Sequence, residues 1–181
     1  MRMRKTGWAF VALGLGLAAG TALATDDAFE RMTYNEFRLM LRDGHLAYQR
    51  DDHERAFELY SRNACTGDKG SQFALASMYL FGEGTAADGM KAYAWLASAA
   101  EAREPRYQNE FEKLDKVIPA EHRAGARRAA AEVLSRYGMH ATNVSCSMRA
   151  EAGTRIANLD CKPPIDPRNG YVEVKRCDAV R

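Results

Sequence analysis

The chain has 181 residues, 46% of them hydrophobic, with 26 Lys and Arg against 24 Asp and Glu and a formal net charge of +2. That length allows one domain with a modest core. The near-balance of charge excludes the basic footprint that a nucleic-acid-binding domain needs.

Residues 1–24 read as a secretory signal peptide. Arg2, Arg4 and Lys5 precede an apolar run from Trp8 to Ala19, and Ala22-Leu23-Ala24 supplies small residues for cleavage after Ala24. The run is shorter than the roughly 20 residues a spanning helix needs, which argues against an uncleaved anchor. No Cys stands at the cut, so a lipid-anchored start is not expected. Cleavage removes three basic and no acidic residues, taking the formal charge from +2 to −1. No later segment is apolar enough to span a membrane, and the mature chain is expected to be periplasmic or secreted.

Thr25 to Met32 reads as a short polar lead-in. Thr33-Tyr34-Asn35-Glu36 is a capping box that predicts a helix to about Gln49, with Gly44 at a close helix crossing. Asp51 and Asp52 stop it and cap a second helix, whose Ala56, Phe57, Leu59, Tyr60 and Ala64 form its buried face. Gly67, Asp68 and Gly70 link to the stretch Ser71–Ala100. Phe73, Leu75, Ala76, Met78, Tyr79, Leu80 and Phe81 predict a helix packed on more than one side. Gly82-Glu83-Gly84-Thr85 breaks it, and Asp88 caps a fourth helix with Ala92, Trp95, Leu96, Ala99 and Ala100 on one face.

The two hairpins repeat. Asp52 aligns with Asp88, Arg55 with Lys91, Ala56 with Ala92, Phe57 with Tyr93, Leu59 with Trp95 and Ala64 with Ala100, at a constant offset of about 36 residues, within the period typical of helical arrays. Pro105 suits a first helical position, and Tyr107, Phe111, Leu114 and Ile118 follow at helical spacing. Pro119 opens a further helix with Ala126, Ala129, Ala130, Val133, Leu134 and Tyr137 on its apolar face, ended by Gly138. These two helices are expected to form a third hairpin and cap the stack. The sequence therefore divides into a repeat domain over 25–138 and an appendage over 139–181.

In the appendage the helical period is lost. Cys146 and Cys161 flank two short strands joined by a turn at Glu151–Thr154, with Gly153 free to take positive φ. Pairing those two leaves Cys65 with Cys177, one of three pairings that four cysteines allow. Tyr171-Val172-Glu173-Val174-Lys175 alternates as a strand. The segment is too short for its own core and is expected to lean on the last helices.

Leu75, Ala76, Met78, Tyr79, Gly82-Glu83-Gly84, Asp88, Lys91-Ala92, Trp95 and Ala99-Ala100 together resemble a Sel1-like repeat, a relative of the tetratricopeptide repeat. The copy over Phe37–Cys65 is degenerate. The resemblance implies an all-α fold, a short α-solenoid of antiparallel helical hairpins carrying a small disulfide-pinned appendage. It also implies a non-enzymatic interaction module or adaptor in a bacterial envelope, which binds a segment of another envelope or secreted protein on the concave face. Setting Gly44 and Ala76 at equivalent packing positions puts His45, Tyr48, Gln49, Ser77, Leu80 and Phe81 near that face.

No catalytic set competes with this reading. His45, His53, His122 and His140 lack metal-ligand spacing, and there is no CxxC pair. No GxSxG or SxxK presents a nucleophile. Gly82-Glu83-Gly84 lacks the spacing of a phosphate loop. Asp51, Asp52 and Glu54, which flank His53, are acidic where a helix dipole favours acid, and Asp88 repeats the pattern. Trp95 falls at a core position. No cofactor is expected. A binder or enzyme acting on cell-wall peptidoglycan is the alternative, and a redox role for the cysteines lacks a low-pKa thiol.

Overall fold

The computed structural model describes residues 29–150, 157–175 and 177. The elements are β1 (Phe29–Thr33), α1 (Tyr34–Gln49), α2 (His53–Cys65), α3 (Lys69–Phe81), α4 (Gly89–Ala100), α5 (Pro105–Val117), α6 (Ala120–Tyr137), α7 (Met139–Thr142), β2 (Ser145–Ala150), β3 (Ala157–Lys162) and β4 (Tyr171–Lys175). The expected signal peptide and its cut after Ala24 lie outside the described residues, as does the turn at Glu151–Thr154.

Side chains at the helix starts set the period of the array. Thr33, Asp68 and Glu104 each accept the backbone N–H three residues on, at the starts of α1, α3 and α5. Asp52 and Asp88 do the same for α2 and α4. Each oxygen satisfies an N–H that the helix itself leaves unpaired. At α1 the capping box is complete, with Glu36 Oε2 accepting from Thr33 N at 2.7 Å.

α1 packs on α2 and α3 on α4 as antiparallel pairs, and α2 on α3 joins the pairs. Ala56 and Ala92 are both buried at the crossings, 0% and 1% exposed, so small side chains occupy equivalent places in the two copies. The aromatic contacts repeat too. Phe57 of α2 meets Tyr79 of α3 at 5.3 Å between ring centroids, and Tyr93 of α4 meets Phe111 of α5 at 5.1 Å. Gly84, at φ +66°, lies so close to the His53 backbone that a Cβ would collide with it, which locks the α3–α4 turn onto the start of α2.

The expected third hairpin does not form as such. α5 and α6 each pack against α4 in preference to each other. Ala126 and Ala130 of α6 are buried with Tyr93, and side chains that small let the α6 backbone approach α4 closely.

A buried polar hub ties the pairs together. Lys69 Nζ donates to Gln72 Oε1 at 3.0 Å, to the Ser98 carbonyl at 3.0 Å and to Glu101 Oε2 at 2.9 Å. Gln72 Nε2 donates to the carbonyls of Ala64 and Tyr137, reaching α2 and α6.

Two expectations for the chain ends are corrected. The lead-in contains a strand: β1 runs antiparallel to β4, with Met32 opposite Val172 and Glu30 opposite Val174. The tail is split: β4 leans on the first helix, while α7 packs on α6 as expected. Val172 and Val174 are buried with Met32 and Phe37, against Tyr34, Met40 and Leu41. The alternation of β4 gives it one apolar face, and that face covers α1 at Phe37, Met40 and Leu41. The last helices also hold the end of the tail, since Lys175 Nζ donates to the Arg136 carbonyl at 2.9 Å and stands over the Tyr137 ring. β2 and β3 pair separately, with Cys146 directly opposite Cys161 and bonded to it. Cys65 is bonded to Cys177, closing a loop across 112 residues.

Candidate functional site

A largely apolar concavity lies between α3 and α5, with α4 as its floor. It is a groove of about 450 Å³. Phe73, Ala76, Ser77, Leu80 and Phe81 form one wall, Ala92 and Leu96 the floor, and Arg106, Glu110, Lys113, Leu114 and Val117 the other wall. α3 and α5 meet where Phe73 stacks on Tyr107, with ring centroids 4.6 Å apart. At the other end Phe81 and Val117 stand 72% and 73% exposed, with Leu80 at 41%. The groove is closed at the N-terminal ends of both walls and open at their C-terminal ends.

Its lining follows from local sequence. α3 carries no charged side chain between Lys69 and Glu83, because Phe73 to Phe81 is apolar on nearly every face. One face packs on α4 through Leu75 and Met78, both fully buried, and the excess apolar surface faces the groove. α5 buries none of its residues fully, and its charged side faces outward over the rim. Lys113 Nζ lies 2.8 Å from Glu110 Oε1, while the Arg106 guanidinium stands over the Phe73 ring at 4.7 Å.

Burial, then the carboxylates of Asp68 and Glu104, push the Tyr107 hydroxyl up to about 12. Tyr107 therefore stays neutral beneath the closed end. The lining can desolvate apolar side chains and attract negative charge at one point. Among the described residues, no group of three or more His, Cys, Asp or Glu could hold a metal ion.

Of the residues expected at a binding face, Ser77, Leu80 and Phe81 come together in this groove. The Ser77 hydroxyl donates to the Phe73 carbonyl at 3.2 Å. His45, Tyr48 and Gln49 lie on α1, away from it. Gln49 Nε2 is 2.9 Å from His45 Nε2, and the Tyr48 hydroxyl donates to Glu83 Oε2 at 2.9 Å. That bond raises the Tyr48 pKa, with burial adding to it, and it pins the α3–α4 turn to α1. Sequence reasoning missed Phe73, Arg106, Leu114 and Val117 as lining residues. The available signal was Val117, an apolar residue adjacent to the Tyr107–Ile118 stripe instead of on it.

Paired helices repeating at this interval, each second helix packed on the next first helix, define a Sel1-like repeat fold. The chain is similar in structure to the crystal structure of c5321, a protective antigen present in uropathogenic Escherichia coli strains displaying an SLR fold, with a TM-score of 0.53 and 18% sequence identity. The match covers 66% of this chain and 27% of the antigen's, so the chain spans about a quarter of that protein's length. No family model and no curated protein matches the sequence. The two disulfides fit an oxidising compartment. No helix among the described residues is long and apolar enough to cross a membrane.

Proposed function

We propose that this chain is a non-enzymatic interaction module of the bacterial envelope, and that the α3–α5 groove docks a segment of another exported protein. The observation that carries the reading is the exposure of Phe81 and Val117 on facing walls of one groove, 72% and 73%, beside Leu80. Clustered exposed apolar side chains in a concave setting are typical of recognition surfaces. The solenoid fold, whose repeats leave a continuous inner surface, agrees with it. The exposed His45 and Gln49 of α1 supply a second contact region. The signal peptide expected from the sequence and the two disulfides support an exported location.

A photo-crosslinking amino acid placed at position 81 in the living cell tests this. A defined adduct is expected from position 81, and none of the same size from Glu54 on the exposed side of α2. Equal adducts at both positions, or none at 81, would sink the reading.

A further inference from the structure

The groove's lining restricts the shape of what it can take. Away from the last turns of α3 and α5 at its open end, its lining lies within helices, where backbone N–H and C=O groups are already used along the helix axis. The Ser77 hydroxyl is engaged with the Phe73 carbonyl. An extended segment pressed along this lining would bury most of its backbone donors and acceptors without partners, since only the last-turn carbonyls could meet any of its N–H groups. A helical segment brings its backbone already satisfied and offers only side chains, at one-turn spacing.

The charges restrict it further. Glu110 is compensated by Lys113 at 2.8 Å. Arg106 has no carboxylate within ion-pair distance among the described residues, and the α3 wall brings no charge of its own. The uncompensated charge of the groove is therefore positive, and it sits at the closed end, over Phe73.

Resting on the protein-binding reading above, we propose that the groove takes an amphipathic α-helix with an Asp or Glu at the end beside Arg106 and large apolar side chains toward Phe81 and Val117. The 11-residue separation of Arg106 and Val117 corresponds to about 16 Å along a helix, so the occupant's contact face is about three turns long.

The test is selection of a phage-displayed random 14-residue peptide library on the mature chain, followed by titration of the enriched peptides made synthetically. The expected sequences carry apolar residues at i, i+3 or i+4, and i+7, with an acid at one end, and become helical by circular dichroism on binding. Arg106→Glu should weaken them at least tenfold, and changing the peptide's acid to Lys should restore binding to that variant. If enriched peptides lose binding to Phe81→Asp but stay non-helical, or ignore Arg106→Glu, the helix-with-acid inference falls and the docking groove stands. If no peptide binds, or all ignore Phe81→Asp, both fall.

Discussion

The ammonium of Lys69, wholly buried, lies 2.9 Å from a Glu101 oxygen that also accepts the Met139 backbone N–H at 2.8 Å. All three ammonium protons have acceptors. Burial lowers the Lys69 pKa, and the bond to Glu101 opposes that shift. Removing either partner should therefore have unequal effects. Glu101→Ala strands a buried ammonium and should cost about 3–5 kcal/mol, the range for breaking a buried pair. Lys69→Met should cost less, roughly 1–3 kcal/mol, because Glu101 is 31% exposed and keeps both water and Met139. Urea denaturation of the two variants measures the order, and a larger loss for Lys69→Met would contradict it.

Alkali should weaken the array through two tyrosines. Tyr79, 2% exposed, has its pKa raised from 10.0 to about 12 by burial and then by Asp88, and Tyr107 is raised to about 12 by burial and then by Asp68 and Glu104. The folded state holds these protons more tightly than the unfolded chain. Their contribution is complete below pH 10 and lost as pH rises toward 12. Thermal midpoints measured between pH 9 and 12 should fall less steeply in the Tyr79→Phe, Tyr107→Phe double variant than in the wild type. Parallel curves would refute the assignment.

The two disulfides should contribute unequally. Cys65–Cys177 spans 112 residues and Cys146–Cys161 spans 15. By loop-closure entropy the first restricts the unfolded chain by about 4.7 kcal/mol and the second by about 3 kcal/mol. The Cys177→Ser, Cys65→Ala pair should therefore unfold at lower urea than the Cys146→Ser, Cys161→Ser pair. The reverse order would show that the tail's contacts, and not its tether, dominate.

Phe81→Asp should separate binding from stability. The side chain is 72% exposed, and surface changes of this kind shift stability by about 0.5 kcal/mol or less. Recovery of any partner trapped at position 81 should be lost while the unfolding midpoint stays within about that margin. A large loss of stability would mean that Phe81 packs in the folded chain, which its exposure contradicts.

Much of the array was legible because its signals are local. Asp52 and Asp88 sit 36 positions apart as N-caps, and Thr33 with Glu36 closes a capping box inside four residues. What escaped was pairing across the chain. Phe29 to Thr33 lacks clean alternation, and its partner lies about 142 residues away, so nothing nearby marks it as a strand. The stripe on α5 told that it was a helix without telling which neighbour it would meet. Placing the binding face on α1 and α3 followed the two copies of the repeat, one of them degenerate. The groove uses α3 and α5 because the Phe73–Tyr107 stack brings the third capped helix beside the second.

The join of β1 to β4 bears on how the chain is made. Phe37 and Met40 emerge in synthesis about 130 residues before their cover, Val172 and Val174. Until then the first helix pair exposes an oily flank, and the molecule needs either a shielding escort or rapid completion. Long-range closure of this sort slows folding, so the latching of β4 onto β1 should follow the stacking of the helices instead of leading it.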